Sequence, residues 1–303
     1  MKTSLEHLPS GKRRELEHVA HILRSSFDEA ISTRKAPRLK DGRLLKIILF
    51  GSHARGDWVE DPIGRYFSDF DLLVVVDHED LAEDEFWSGA VDRILEDTSS
   101  GEHLRTPVTF IVHSLSEVNE QLSLGRYFFA DIVRDGVVLF DSAGAKFEKP
   151  GAIAAGVALT EAAAHFEKWF KDGEYSIERA RNSLHDRKLN WAAFDFHQAA
   201  ERFYHCTLLV LTLYSPKSHN IVFLRRRCED LDARLAEAWP QEDKFQRRCF
   251  ELLRAAYVKA RYSPHYRITD AELTWLDTRI VVLRDLVKTV CDERLAELSR
   301  QSG

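Results

Sequence analysis

The sequence has few of the features that mark membrane and secreted proteins. No apolar run approaches the roughly 20 residues that a membrane helix needs. The first residues, MKTSLEHLPSGKRRELEH, contain no apolar stretch of the kind that directs secretion. Only four cysteines are present, and none has the close spacing of zinc ligands: Cys206, Cys228, Cys249 and Cys291. We therefore expect no membrane partner, reduced cysteines in the core and a cytoplasmic location.

Repeats and low-complexity tracts are also absent, and the composition is that of a globular chain. With 303 residues, 44% of them hydrophobic and 11% aromatic, the chain can bury more than one core. The net charge of −6 is unevenly distributed. Residues 51–103 contain 15 acidic and 3 basic residues, whereas residues 201–267 contain 8 and 13. The sequence predicts two domains of different charge.

The first half of the chain combines helical and strand patterns. Apolar residues recur at helical spacing near the start: Leu16, Val19, Ala20, Leu23, Phe27 and Ile31. Four short aliphatic or β-branched runs are typical of strands: Leu44–Phe50, Leu72–Val76, Pro107–His113 and Val137–Asp141. Helical periodicity returns between them, at Leu81–Asp97 and Ser116–Arg134. We predict an α/β domain over residues 1–145.

From about Pro150 onward the sequence predicts helices only. Turn residues separate the amphipathic segments, at Asp172–Gly173, Ser215–Asn220, Trp239–Pro240 and Ser263–Arg267. The last helix begins with a capping box, Thr269 followed by Glu272. It continues with an apolar stripe: Leu273, Leu276, Ile280, Leu283, Val287 and Val290. We predict an all-α bundle over residues 155–303, preceded by a small, flexible linker at Ser142–Gly156.

The first two predicted strands carry residues suited to phosphate and metal chemistry. Asp69 and Asp71 project from the same face, because side chains alternate along a strand. Two adjacent carboxylates repel each other unless a cation neutralises them, and oxygen ligands suit Mg²⁺. Gly51 and Ser52 follow the neighbouring strand, where a turn exposes backbone N–H groups to a phosphate, and Arg55 is near enough to donate as well. The combination predicts metal-assisted phosphoryl transfer.

Each motif has a plainer interpretation alone, since SDFD can simply begin a strand and GS is a common loop pair. In order, however, LFGSHARG followed by SDFDLLVVV resembles the nucleotidyltransferase superfamily of polymerase-β type, over roughly Leu44–Phe140. Minimal and aminoglycoside-modifying members, such as kanamycin nucleotidyltransferase, are most similar. The resemblance implies a short mixed sheet, with Gly51 and Ser52 holding a triphosphate and Asp69 and Asp71 binding Mg²⁺. It implies transfer of AMP from ATP, or of the corresponding group from another nucleoside triphosphate.

Two features depart from this family. The loop His53–Ser68 has 16 residues, which is longer than usual and suggests a lid or a recognition insert. The family's third carboxylate, a metal ligand and general base, is expected on the third predicted strand, which offers Thr109 and His113 but no acid. Glu102, or an acid within Asp77–Glu85, is the alternative. If none serves, the domain binds a nucleotide without turning it over.

The helical half resembles HEPN domains, which often accompany minimal nucleotidyltransferases. The resemblance covers about Ala155–Leu298 and is carried by Trp191–Leu231 and by Ala255–Tyr266, AAYVKARYSPHY. HEPN ribonucleases use an arginine and a histidine, usually with four to six residues between them, on the RNA backbone. Here Arg261 and His265 are separated by three residues, one of them a proline that ends a helix. The pair is either an RNA-cleaving site or a structural feature of the bundle.

Two further patterns in this half have plain structural interpretations. His197, Glu201, Tyr204 and His205 lie at helical spacing, which is more often a polar helix face than a metal site. The run LRRRC, Leu224–Cys228, is typical of a solvated surface, although a basic run can also hold a phosphate or an RNA backbone.

The favoured function is a Mg²⁺-dependent nucleotidyltransferase that acts on a hydroxyl of a small molecule, such as an antibiotic, or of a protein. One alternative is a nucleotide-binding regulator without turnover. The other is a HEPN ribonuclease controlled by the nucleotidyltransferase half, as in a toxin–antitoxin pair, with RNA as the less favoured partner. An exposed apolar seam on such a bundle is consistent with a homodimer.

Overall fold

The computed structural model describes most of the chain: residues 1–58, 60–61, 66–142, 145–216 and 218–302. The chain divides into two units, residues 1–152 and residues 153–303. Among the described residues, no helix is both long enough and apolar enough to cross a membrane.

The first unit is built on a four-stranded mixed sheet, as predicted. Its helices are α1 (Ser10–Ser32), α2 (Pro37–Lys40), α3 (Gly51–Arg55), α4 (Ser88–Ser100), α5 (Leu115–Ser123) and α6 (Tyr127–Asp135). Its strands are β1 (Leu44–Phe50), β2 (Glu60–Asp61), β3 (Tyr66–Phe67), β4 (Phe70–Val76), β5 (Val108–Ser114) and β6 (Val137–Asp141). The sheet order is β5, β4, β1, β6, and β2 pairs with β3 alone. Strand β1 is antiparallel to β4 and β6, whereas β4 and β5 are parallel.

Helices cover both faces of this sheet, so every residue of β1 and β4 is buried. One face packs against α1 and α4, in a core that includes Leu16, Leu23, Phe27, Ile94, Leu49 and Leu72. On the other face α6 approaches closely, with the rings of Phe50 and Phe128 5.6 Å apart. Gly136 permits this approach, because a Cβ there would lie 2.8 Å from Cγ2 of Ile48. The apolar stripe predicted for the first helix packs into the core on the face of α1 and α4, so that prediction is confirmed.

Two predicted helices have different boundaries. Helix α4 begins at Ser88 rather than Leu81, because the preceding residues form two short 3₁₀ turns, Glu79–Ala82 and Asp84–Phe86. The single helix predicted over Ser116–Arg134 is two helices, α5 and α6. Gly125 separates them with a φ of +71°, a left-handed conformation that glycine adopts at little cost.

The segment predicted to be a flexible linker begins by packing back onto α5. The side chain of Asn119 donates to the carbonyl of Lys146 at 3.3 Å and accepts from the N–H of Glu148 at 2.8 Å. The N–H of Gly151 donates to the carbonyl of Leu122 at 2.8 Å. Residues 143–144 lie outside the described residues. A composition rich in small residues thus did not reveal the hydrogen bonds that hold this segment.

The first residues of the chain pair with the outer side of β6. The N–H of Lys2 donates to the carbonyl of Gly136 at 2.8 Å, and the N–H of Val138 donates to the carbonyl of Lys2 at 2.9 Å. These bonds form a short parallel bridge between Lys2 and Val137.

The second unit is helical, as predicted. Its helices are α7 (Ala155–His185), α8 (Leu189–Thr212), α9 (Ile221–Leu231), α10 (Lys244–Tyr262) and α11 (Asp270–Ser302). The capping box at the start of α11 is confirmed: the N–H of Glu272 donates to Oγ1 of Thr269 at 3.3 Å, and the N–H of Thr269 donates to the carboxylate of Glu272 at 2.8 Å. The whole predicted stripe of α11 is buried. All four cysteines are free and buried.

The helix stop predicted at Asp172–Gly173 is wrong. Helix α7 runs through both residues for 31 residues without a break. Gly173 is there because Phe203 of α8 packs against it: a Cβ at Gly173 would lie 2.6 Å from Cε1 of that buried ring. The glycine therefore serves the close approach of two helices rather than a turn.

We predict that Gly173→Ala destabilises the protein although alanine is the better helix former. Overpacking a core costs about 1–3 kcal/mol, which exceeds the gain of about 1 kcal/mol in helix propensity. Gly156→Ala, in the same helix, is the matched control, because a Cβ there would meet only Cβ of Ser302 at 3.9 Å. Urea unfolding should show Gly173→Ala less stable, and Gly156→Ala as stable as or more stable than the natural protein. A stabilised Gly173→Ala would contradict the packing argument.

Candidate functional site

The Gly-Ser turn and the aspartate pair lie side by side at one edge of the sheet. In the antiparallel pairing of β1 and β4, Phe50 is directly opposite Asp71, so Gly51 and Ser52 follow immediately beside the pair. Directly opposite residues share a face of the sheet, which places Asp71 on the face covered by α6. Asp69 and Asp71 are only 9% and 7% exposed. Two largely buried aspartates thus lie beside a glycine turn.

The turn itself has the backbone that its glycine allows. Gly51 has a φ of +73° and begins α3, while Ser52 is buried. Gly56 ends the helix with a φ of +94°, and its N–H donates to the carbonyl of Ser52 at 2.8 Å. Arg55, predicted to donate to phosphates, is the last residue of α3, and its Nε lies 3.1 Å from Oδ2 of Asp57. A phosphate would have to compete with this carboxylate for Arg55.

Thr109 stands where the third carboxylate was expected. It is the neighbour of Asp71 in the parallel pairing of β4 and β5, and its hydroxyl lies 3.5 Å from Oδ2 of Asp69. His113, the other polar residue of this strand, pairs with Val75, and its Nδ1 lies 2.9 Å from the carboxylate of Glu117. At about 3.3 Å per residue it lies about 13 Å along the strand from Thr109, too far to share the site.

The alternative acids within Asp77–Glu85 follow the end of β4 that is far from the aspartate pair. Asp77 follows β4, so it lies about 20 Å along the strand from Asp71, where it pairs with Arg43. Asp80 and Glu85 lie beyond it and pair with Arg38 and Arg34. Glu102 is an exposed loop residue. Among the described residues, no group of three or more His, Cys, Asp or Glu side chains is arranged to hold a metal ion.

Two residues that pack around the start of β4 have no signature in the sequence. His53, next to Ser52, is completely buried, and its Nδ1 lies 2.8 Å from the carbonyl of Asp69. Lys12 of α1 donates to Oγ1 of Thr106 at 2.6 Å and lies over the ring of Phe70. Neither belongs to a periodic pattern that points to the site, because each depends on a contact distant in sequence. Residues 59 and 62–65 of the predicted lid or insert lie outside the described residues.

In the second unit, Arg261 and His265 belong to different elements. Helix α10 ends at Tyr262, so Arg261 lies in its last turn and His265 in the turn that follows. The Nε of Arg261 donates to the carbonyl of Tyr257 at 2.7 Å. Its guanidinium lies 4.7 Å from the centres of the rings of Phe194 and Tyr257. Arg261 is therefore an exposed arginine that stacks on aromatic rings of its own unit.

The polar residues of α8 form hydrogen bonds within the bundle. Glu201 is 6% exposed, and its carboxylate lies 3.1 Å from Nδ1 of His219 and 3.5 Å from Nε2 of His197. Burial raises the pKa of Glu201, but the hydrogen bonds from His197 and His219 outweigh it and lower the pKa below its usual value. His205 uses both ring nitrogens: Nε2 donates to the carbonyl of Ser218, and Nδ1 accepts from the hydroxyl of Ser215. These contacts agree with a polar helix face.

The basic run Leu224–Cys228 is largely neutralised by acids of its own helix. Arg225 is 11% exposed, lies 2.5 Å from the carboxylate of Glu229 and stacks on Phe250. Arg227 pairs with Asp230 at 3.3 Å. The expectation of a solvated surface is therefore wrong for Arg225, whose guanidinium is largely buried and pairs with Glu229.

Most of the helical unit matches a known domain family. Residues 166–282, which run from within α7 to within α11, match the family model of the HEPN domain. The match agrees with the sequence resemblance to HEPN domains over this part of the chain. No curated protein matches the chain.

We predict that Glu201→Gln destabilises the protein by about 1–3 kcal/mol at pH 7, because His219 loses a charged acceptor and His197 loses a nearby negative charge. A carboxylate with a depressed pKa stabilises the fold above its unfolded pKa, and this contribution is lost as the pH falls through the folded value. The difference between the natural protein and Glu201→Gln should therefore shrink below about pH 4.5.

Urea unfolding at pH 7 and at pH 4, followed by circular dichroism, measures this difference. Glu178→Gln is the control, since Glu178 is exposed on α7 and should change stability by less than about 0.5 kcal/mol. A loss for Glu201→Gln that stays constant down to pH 3 would show that the charge of Glu201 does not carry the effect.

Proposed function

We propose that the first unit is a nucleotidyltransferase that transfers AMP from ATP, or the corresponding group from another nucleoside triphosphate. The acceptor is a hydroxyl of a small molecule or a protein. The observation that carries this proposal is the pairing of Phe50 with Asp71, which joins a glycine turn to two buried aspartates. A mixed sheet with the same motifs on adjacent strands is what the resemblance to polymerase-β-type nucleotidyltransferases implies.

The residues at this edge suit Mg²⁺. Asp69 and Asp71 supply hard oxygen ligands, and a magnesium ion in phosphoryl-transfer sites takes one or two carboxylates together with substrate phosphates. Their low exposure favours a bound cation, because two adjacent buried carboxylates repel each other. When bound, the ion would neutralise the triphosphate and stabilise the charge that develops during transfer.

The remaining roles fall to residues of the chain itself. The backbone after Gly51 and the hydroxyl of Ser52 would hold the triphosphate and orient the α-phosphate toward the acceptor. Thr109 would keep the carboxylate of Asp69 in place through its hydroxyl, but it cannot take a proton from the acceptor as a carboxylate would. Transfer would therefore be slow unless the acceptor is acidic or brings its own base.

The same residue favours a second candidate function, a nucleotide-binding regulator without turnover. Thr109 occupies the position next to Asp71, and the acids expected to replace the third carboxylate pair elsewhere or are exposed. Such a domain would bind ATP and Mg²⁺ and signal that they are bound, without turning the ATP over. RNA cleavage is consistent with the match to the HEPN family. It is the less favoured function, because Arg261 is stacked on aromatic rings and α10 ends before His265.

Incubation with α-labelled ATP and Mg²⁺, alone and with aminoglycosides or with a protein extract as acceptor, tests the proposal. We expect transfer of label by the natural protein and its loss by at least about 100-fold in Asp69→Asn combined with Asp71→Asn, since the ligands of the cation are removed. Asp77→Asn, at the opposite end of β4, is the control and should retain transfer. Binding of ATP without any transfer would favour the regulator, and transfer that survives the double change would overturn the site.

We further predict that Thr109→Asp adds the missing carboxylate. Three clustered acids repel each other without a cation, so this variant should be less stable than the natural protein in EDTA and should recover stability in Mg²⁺. Thr109→Asn, of similar size but neutral, should show no such dependence. Thermal unfolding with and without Mg²⁺ gives the answer, and an equal response of both variants would show that Thr109 lies away from the cation.

A further inference from the structure

A buried histidine connects the glycine turn to the aspartate pair. His53 follows Ser52 in α3, and its side chain reaches across to the next motif. Its Nδ1 lies 2.8 Å from the carbonyl oxygen of Asp69. Because a carbonyl oxygen only accepts hydrogen bonds, Nδ1 carries the proton and donates. One imidazole thus joins the two parts of the proposed site, which are 16 residues apart in sequence.

Helix α3 depends on such contacts for its orientation. It has only five residues, and a helix this short is unstable by itself because nucleation costs more than one or two hydrogen bonds return. The ring of His53 stacks on Trp58, with the ring centres 5.5 Å apart, and meets the edge of Phe70 at 4.6 Å. The carbonyl of His53 accepts a hydrogen bond from Nε2 of His7 at 2.8 Å. His53 therefore helps to hold α3 in place through contacts of both its ring and its carbonyl group.

The same hydrogen bond holds the backbone of Asp69. The next residue, Phe70, donates its N–H to the carbonyl of Pro107, which fixes the start of β4 against the segment before β5. His53 fixes the carbonyl of Asp69 from α3. The hydrogen bond from His53 therefore adds to the pairing of β1 with β4 in fixing the backbone of Asp69 relative to Ser52.

We propose that His53 is a positioning residue that couples triphosphate binding to cation binding. A triphosphate held at Gly51 and Ser52 would order α3, and through His53 it would also fix Asp69 for the cation. By thermodynamic linkage, a cation held by Asp69 and Asp71 would raise the affinity of the turn for the triphosphate by the same factor. This inference rests on the proposed function, since it concerns the same nucleotide and metal site.

Two substitutions separate the hydrogen bond from the volume of the ring. His53→Phe keeps an aromatic ring between Trp58 and Phe70 but loses the donor. His53→Asn loses the ring, but its amide nitrogen occupies the place of Nδ1 and can donate to Asp69. His113→Phe, on the same sheet but away from the site, controls for the general effect of replacing a histidine.

The measurement is ATP affinity of the full chain by calorimetry, in Mg²⁺ and in EDTA, and the readout is the ratio of the two affinities. We expect Mg²⁺ to raise ATP affinity in the natural protein and in His113→Phe. In His53→Phe the gain in ATP affinity from Mg²⁺ should be at least about tenfold smaller. This is the size of effect seen when a residue that supports a metal ligand is removed. His53→Asn should regain most of it. A purely structural role would lower both affinities together and leave the ratio unchanged.

The outcomes are distinct. No ATP binding by the natural protein would overturn the proposed function, and the coupling with it. A Mg²⁺-dependent gain that is equal in the natural protein and His53→Phe would overturn the coupling alone. If His53→Phe does not fold, His7→Ala takes its place, because His7 is exposed and anchors the carbonyl of His53. A reduced gain in His7→Ala supports the coupling, and an unchanged gain overturns it.

Discussion

The antiparallel pairing of β1 with β4 is the constraint on which the candidate site depends. It sets the end of one strand against the start of the other, so the turn after Phe50 and the aspartates around Phe70 meet although a long loop separates them. Both strands are buried on both faces. A slip of one residue would move Asp71 into the apolar core that packs on α1 and α4, so the register is strongly specified.

The helical unit depends on a different constraint, the fit between long helices. Phe203 packs against Gly173, and the buried ionisable groups form bonds with near neighbours in the bundle, as Glu201 and Arg225 do. Buried polar groups that are satisfied internally are not available to a ligand without cost. The residues of the helical unit whose types suggest catalysis or ligand binding therefore serve mainly to pack the bundle.

Patterns that repeat within one element could be predicted from the sequence. The stripe of α1, the strands β1 and β6, and the capping box of α11 follow from side chains a few residues apart, and the structure has them. Features that depend on distant contacts were wrong or missed. The sequence predicts a stop at Gly173 because its partner, Phe203, lies in another helix, and no pattern connects His53 with Asp69 or Thr109 with Asp71. Only the order of the motifs Gly51–Ser52 and Asp69–Asp71 along the chain indicated that they lie close together in the fold.

The bridge between Lys2 and Val137 closes one border of the sheet. Strand β6 is outermost on that side, and its backbone would otherwise offer unpaired groups to any extended peptide. Removing the first few residues would leave the folded sheet intact but open this border to a neighbouring molecule. Part of this edge of the sheet is thus covered by a residue that takes no part in the core.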